Sequence, residues 1–265
     1  SFISILQVLM DLRKVSYLFR IMDIIGMRRS KTHYLPDYVN FYSATNSESL
    51  ASDLSLSIGE ILIEAIRKRG RASMAVSGGS TPISLFKNFS LLSIDWTKVD
   101  LTLVDDRWVS SKSDYSNELL VRTHLIKNKA AKVNFIPLKN DSKTAKEGQK
   151  ISEEILRNIT LPFDVIVLGM GNDGHTASLF SCSEEFSDAM DLNNLNKLIS
   201  ISPKTASYER ISLTAKVIIE SKNIFLHLNG SNKLHTLESA MELRDSSKMP
   251  IYAFLEKGLN IYWSP

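Results

Sequence analysis

Cysteine is nearly absent from this 265-residue chain, where Cys182 stands alone. No internal disulfide can form, and no thiolate cluster can hold zinc. This usage fits a reducing, cytoplasmic setting. Nothing pairs Cys182 with an activating partner, so it reads as an incidental small residue. Long apolar runs are missing as well. Phe2 to Met10 is apolar, but Asp11, Arg13 and Lys14 follow at once, far short of the ~20 residues that a membrane span needs. Charge of one sign is also scarce. A net charge of +3 is too small an excess to argue for nucleic acid. No histidine pairs with nearby acids at a metal-ligand spacing, so no metal is expected. Gly-x-Ser-x-Gly is absent, which removes the strained nucleophile elbow of the common serine hydrolases. Repeats and low-complexity tracts are lacking too. What remains is ordinary folded protein, with 43% hydrophobic and 23% charged residues.

The N-terminus stands apart. Its charges follow the apolar run rather than precede it, unlike a secretory signal, and Asp11 and Asp23 argue against an acid-poor transit peptide. Met27-Arg-Arg-Ser-Lys-Thr would make a plausible start. The expectation is an extension or accessory amphipathic helix over residues 1–33, outside a single catalytic domain at 34–265. A membrane-surface or oligomer contact is the functional alternative.

From Tyr38 onward, strand and helix patterns alternate. Strands are expected at Val39–Tyr42, Ala72–Val76, Val99–Val104, Val133–Ile136, Val165–Leu168, Leu198–Ser202, Ile211–Leu213, Ile224–Leu228 and Leu259–Tyr262. Helices are expected at Ser47–Arg69, from Pro82 with Ser80 or Thr81 as cap, at Asn117–Lys127 capped by Ser116 or Asp114, at Lys143–Asn158 and at Lys233–Leu243, with a short one at Ile251–Glu256. The alternation predicts an α/β fold of Rossmann-like type, with a largely parallel sheet flanked by helices. Ligands of such sheets bind beyond the carboxyl ends of the strands. Four polar loops follow strands here: Ser77–Ser80, Asp105–Trp108, Gly169–His175 and Asn229–Lys233. Their convergence at one rim is the central expectation.

The most informative stretch is Phe163-Asp-Val-Ile-Val-Leu-Gly-Met-Gly-Asn-Asp-Gly-His-Thr-Ala-Ser-Leu-Phe180. It reads as a buried strand, a glycine-rich turn and the start of a helix. Gly169-x-Gly171-x-x-Gly174 matches the dinucleotide fingerprint, but Ser181 to Asn196 shows no following strand to carry the ribose-binding acid. The better reading is an anion-friendly turn that carries an acid–base residue, His175, beside Asp173. The bland alternative for His175 is a helix-orienting residue. Ser77-Gly-Gly-Ser-Thr-Pro82 can cradle an oxyanion or be a plain tight turn. Arg107 can grip phosphate through two N–H bonds or pair locally with Asp105 or Asp106. Lys233 can offer a point charge or be solvated, and Arg210 is similar. His33, His124, His227 and His235 look incidental.

Taken together, these motifs resemble the 6-phosphogluconolactonases. The resemblance rests on Ser77-Gly-Gly-Ser-Thr-Pro82, Leu103-Val-Asp-Asp-Arg-Trp-Val109 with Ser116-Asn117, Gly169 to Phe180, Arg210-Ile-Ser-Leu-Thr214 and Gly230-Ser-Asn-Lys233. It implies a sheet akin to the glucosamine-6-phosphate deaminase group and hydrolysis of 6-phospho-D-glucono-1,5-lactone to 6-phospho-D-gluconate, the second step of the oxidative pentose phosphate pathway. It implies no cofactor and a small-molecule substrate as the partner. His175 and Asp173 would be catalytic. Ser77, Gly78, Gly79, Ser80, Arg107, Gly171, Arg210 and Lys233 would bind substrate. The expected assembly is a monomer or weak dimer. Asp106 stands where the family often has Glu, and Ser181 where Pro often follows Leu-Phe. A deaminase or isomerase of the same group typically follows Gly-His with Ile-Ala-Phe-Asn-Glu. Thr176-Ala-Ser-Leu-Phe180 lacks that acid. A non-catalytic sugar-phosphate sensor is the rival from outside enzymology.

Overall fold

A computed structural model describes residues 39–265. The expected accessory segment at 1–33 and the expected start of the catalytic unit at 34 lie outside the described residues. After β1 (Asn40–Ser43), helix α1 (Ser47–Arg69) starts where Asn46 accepts a hydrogen bond from the Ser49 N–H. Its last turn carries Arg67, Lys68 and Arg69, which suit the negative end of the helix dipole. It stops at Gly70, whose φ of 79° lets its N–H turn back to the Ile66 carbonyl. Leu50, Leu54, Ile58 and Leu62 form its buried stripe.

The chain continues through β2 (Ala72–Val76), α2 (Ile83–Leu91), β3 (Val99–Leu103), β4 (Asp105–Arg107), α3 (Asn117–His124), β5 (Asn134–Phe135), α4 (Ala145–Leu156) and β6 (Val165–Leu168). Then come α5 (Phe186–Met190), β7 (Leu198–Ile201), β8 (Arg210–Leu213), α6 (Ala215–Ile219), β9 (Ile224–Asn229), α7 (Ser231–Leu243), α8 (Tyr252–Leu255) and β10 (Asn260–Ser264). Seven strands form one sheet in the order β1-β10-β9-β6-β2-β3-β5. Every pairing within it is parallel. All residues of β2, β3 and β6 are buried, as expected of parallel strands covered on both faces. From β2 the order runs outward to β3 and β5, whereas β6 lies on β2's other side and leads to β9 and β10. The β2/β6 seam is therefore the topological switch point.

The fold expectation holds, with three corrections. First, Asp105–Arg107 is a strand rather than a loop. It pairs antiparallel with β8, which pairs antiparallel with β7, in a second sheet of three strands. Second, no helix starts after the glycine turn. Residues 169–185 are turns, and α5 begins at Phe186. The polar side chains there bond elsewhere in preference to supporting a helix: Thr176 Oγ1 donates to the Gly169 carbonyl at 2.7 Å and Ser178 Oγ donates to Asp105 at 2.5 Å. Third, α2 has no side-chain cap from Ser80 or Thr81, since Pro82 is its N-cap residue. Ser116 caps α3, and α7 starts at Ser231 rather than at Lys233.

Asp164, at the foot of β6, ties four segments together. It accepts from the Ser73 N–H at 3.0 Å and from Lys222 Nζ at 2.7 Å, and it pairs with Arg69 at the end of α1. The carboxylate is buried while its cationic partners are about half exposed. Asp164→Ala should lower unfolding free energy by about 2–3 kcal/mol. Urea denaturation checks this, and an unchanged midpoint would mean that the contacts are decorative.

Candidate active site

Two turns meet at the switch point. The Ser77 N–H donates to the Val167 carbonyl at 2.9 Å, and Ser77 Oγ accepts from the Gly169 N–H at 3.0 Å. The turn after β2 is thus fastened to the turn after β6. Gly78 is required by close approach, because a Cβ there would sit 1.9 Å from Asn117 Oδ1. Gly79 has φ of 91°, a left-handed conformation that side chains disfavour. The Gly78 and Gly79 N–H groups donate to no described residue.

Two neighbouring cavities share this rim. The first is lined by Ser77–Gly79, Asp105, Arg107, Asn117, Gly169–Gly171, His175–Ala177 and Arg210. The second is lined by Ser77–Pro82, Val167–Met170, His227, Leu228 and Lys233. The four expected loops therefore converge, but they divide the expected residues. Arg107, Gly171, His175 and Arg210 line the first cavity, Ser80 and Lys233 line the second, and Ser77, Gly78 and Gly79 line both. Asp173 lines neither and stands behind His175.

His175 Nδ1 lies 2.5 Å from Asp173 Oδ1. With a carboxylate there, Nδ1 carries the proton of the neutral ring and Nε2 keeps its lone pair. The hydrogen bond from His175 holds the Asp173 carboxyl down at about 2, against the opposing effect of burial. Phe180 stacks on the imidazole with a centroid separation of 4.0 Å. Gly171 leaves the room the ring occupies, since a Cβ would lie 2.2 Å from His175 Nδ1 and 2.4 Å from Asp173 Oδ1. The glycine N–H groups of this turn are engaged. Gly169 donates to Ser77, Gly171 to the His175 carbonyl and Gly174 to the Gly171 carbonyl. The Gly78 and Gly79 N–H groups are left as glycine donors for an anion.

The small sheet explains the arginines. Arg107 on β4 is the direct cross-strand neighbour of Arg210 on β8. Like charges in that register repel. Arg107 Nη1 donates to the Tyr115 carbonyl at 2.8 Å, and the guanidinium makes no ion pair among the described residues, so the local-pair reading fails. Arg210 lies 3.9 Å from Asp105 and over the Phe180 ring at 5.1 Å. Burial pushes its pKa down, Asp105 raises it, and Arg107 lowers it. The Nε atoms of both arginines are buried without a hydrogen-bond partner among the described residues. Two crowded cations lining one cavity are an arrangement able to hold an anion.

Asp106 holds Arg107 in place. Its Oδ1 accepts the Arg107 and Asn117 N–H groups and its Oδ2 accepts the Glu118 N–H. Burial pushes this carboxyl up to about 6, with those three N–H donors pulling the other way. Burial also lowers the pKa of Lys233, and Asp173 opposes that shift. Asp105, Asn117, Phe180 and His227 belong to the site although sequence reasoning did not assign them. The Asp-Asp-Arg and Ser-Asn strings pointed to Asp105 and Asn117, while only packing brings in Phe180 and His227. Among the described residues no group of three or more His, Cys, Asp or Glu could hold a metal, and no helix is long and apolar enough to cross a membrane.

Comparison with known proteins extends this geometry. The family model described as glucosamine-6-phosphate isomerases/6-phosphogluconolactonase matches residues 45–263. A 6-phosphogluconolactonase of Rhizobium meliloti (strain 1021) is 38% identical over 229 residues, covering 85% of this chain and 99% of its own. One from Pseudomonas aeruginosa is 34% identical over 231 residues, covering 87% and 97%. The crystal structure of a 6-phosphogluconolactonase from Shewanella baltica OS155 superposes with a TM-score of 0.83 at 43% identity, covering 85% of this chain and 97% of that one.

If Gly171 is present to make room for the ring, Gly171→Ala should leave the fold intact and cut turnover at least tenfold by pushing His175 off Asp173, an effect of about 1.4 kcal/mol or more on the barrier. Retained catalysis with an unchanged circular dichroism melt would show that the ring's placement is not critical.

Proposed function

The chain belongs to the family of glucosamine-6-phosphate isomerases and 6-phosphogluconolactonases and hydrolyses 6-phospho-D-glucono-1,5-lactone to 6-phospho-D-gluconate in the pentose phosphate pathway; we propose that His175 is the general base of this reaction. The carrying observation is a histidine tethered through Nδ1 to Asp173, in the cavity that also holds two opposed guanidinium groups with unused donors.

Phosphate is held at the Ser77–Ser80 turn, where the two cavities meet, by Arg107 and Arg210 from one side and Lys233 from the other. Anchoring the remote phosphate fixes the ring and lowers the entropic part of the barrier. His175 Nε2 removes a proton from water as the water oxygen bonds to the lactone carbonyl carbon. The carbonyl electrons move onto oxygen, where a preorganised N–H donor of the rim stabilises the oxyanion. On collapse the bond from that carbon to the ring oxygen breaks, and Nε2–H returns its proton to the leaving oxygen. Asp173 stays ionised throughout, keeps the ring oriented and stabilises its cationic form.

Water is the co-reactant and His175 the base, so these steps call on no redox or group-carrying cofactor. The reading extends to a catalytic unit over residues 34–265, working in the cytoplasm as a monomer or weak dimer. The single Cys182 supports that compartment.

The test follows 6-phosphogluconate formation from freshly made lactone through a coupled dehydrogenase, with His175→Ala beside the wild type because the lactone also opens spontaneously. Wild type should accelerate opening and the variant should lose at least 10²-fold in kcat. Acceleration by both would demote His175, and acceleration by neither with binding intact would favour a sensor. Arg107→Ala should chiefly raise KM for the phosphorylated lactone. Unaltered discrimination between phosphorylated and unphosphorylated lactone would remove Arg107 from the clamp.

A further inference from the structure

His227 sits inside β9, in register with Tyr262 of β10. Sequence reading treats it as one more strand residue. The structure puts it in the lining of the second cavity, opposite the Ser77–Pro82 turn and in company with Lys233. Only 4% of the residue is exposed. Its Nδ1 is buried and has no hydrogen-bond partner among the described residues. A buried strand position flanked by Leu226 and Leu228 ordinarily takes an aliphatic residue. An imidazole there carries a desolvation cost that no contact within the protein offsets.

The orphaned nitrogen fixes the ring's state. Nδ1 has no acceptor to donate to, and a bare lone pair is cheaper to bury than an unsatisfied N–H. The proton of the neutral ring therefore sits on Nε2. Burial pushes the pKa of His227 down to about 4, so the ring is uncharged near neutral pH. Nε2–H is then its single donor. The cavity measures about 230 Å³, several times the ~30 Å³ of one liquid water, so a polyatomic ligand fits. The charged side chain in its lining is Lys233.

We propose that His227 is a specificity-determining residue, whose Nε2–H donates to an anionic oxygen of the phosphate monoester held between the Ser77–Ser80 turn and Lys233. This rests on the phosphate placement argued above. The imidazole adds direction where the ammonium adds charge. Lys233 attracts any anion as a point charge, whereas a fixed neutral donor discriminates by where the oxygen lies.

Two measurements test it. In the first, inorganic phosphate is titrated into 15N-histidine-labelled wild-type protein and the ring nitrogens are followed by NMR. The His227 spectrum should be that of the neutral Nε2–H tautomer, and the Nε2 resonance should move on saturation. A ring protonated on Nδ1, or one that ignores phosphate, overturns the proposal without relying on any variant. In the second, His227→Leu and His227→Gln are compared with wild type on phosphorylated and unphosphorylated lactone. His227→Leu should raise KM for the phosphorylated lactone about tenfold, the scale of one hydrogen bond to a charged group, with kcat far less affected. His227→Gln, whose amide nitrogen reaches the place of Nε2, should recover most of that loss. Equal effects on both lactones, or a Gln variant no better than Leu, would mean that His227 only fills space. The two readings fail separately. A wild type that does not accelerate lactone opening sinks the catalytic assignment while the phosphate titration still judges His227. A silent titration in a fully active enzyme sinks His227 alone.

Discussion

Everything in the site depends on β2 and β6 lying side by side at the point where the sheet order reverses. Right-handed crossovers carry the chain away from that seam in opposite directions. The two strand-end turns are therefore left uncovered by their own connections. Fastening them through Ser77 to Val167 and Gly169 makes one rigid rim from segments about ninety residues apart in sequence. Gly78 of the first turn lets Asn117 come close to the backbone, and Asn117 Nδ2 in turn donates to the Asp105 carbonyl at 2.9 Å. The seam thus determines where the small sheet can attach, and with it where the arginines stand.

The cross-strand pairing of Arg107 with Arg210 would be a defect in a purely structural sheet. Each guanidinium raises the cost of the other, and both carry buried Nε groups with no hydrogen-bond partner among the described residues. An anion between the two guanidinium groups would offset the repulsion. Asp105 cannot serve fully, since one of its oxygens is taken by Ser178 and the nearest approach of Arg210 is 3.9 Å. Such crowding costs stability, an arrangement common at functional sites.

Much of this was legible in the sequence because strongly periodic elements announce themselves. The α1 stripe and the buried runs of β2, β3 and β6 were read within a residue or two. Site residues in turn motifs were legible for the same reason: glycine beside a polar residue after an apolar run has few other uses. What was hidden is non-local. Asp105–Arg107 looks like a polar loop because three residues carry no period, and its strand character comes wholly from pairing with Arg210–Ser212. The turn after His175 reads as a helix start, yet Thr176 and Ser178 bind partners that are near only in the fold. His227 looks incidental in the sequence because alternation within a strand says which face a side chain takes and nothing about whether that face meets a cavity.

The substrate's own reactivity explains the emphasis on placement. A lactone that opens unaided needs no powerful nucleophile. It needs a water and a base in register with its carbonyl, and a rate gain from orientation is lost by small displacements. The His175 ring is accordingly restrained on three sides: Asp173 holds Nδ1, Phe180 covers one face, and the Gly171 backbone leaves no slack for a Cβ. Phe180 also lies under the Arg210 guanidinium. One aromatic ring therefore touches both the imidazole of His175 and the guanidinium of Arg210, so the placement of each constrains the other through packing.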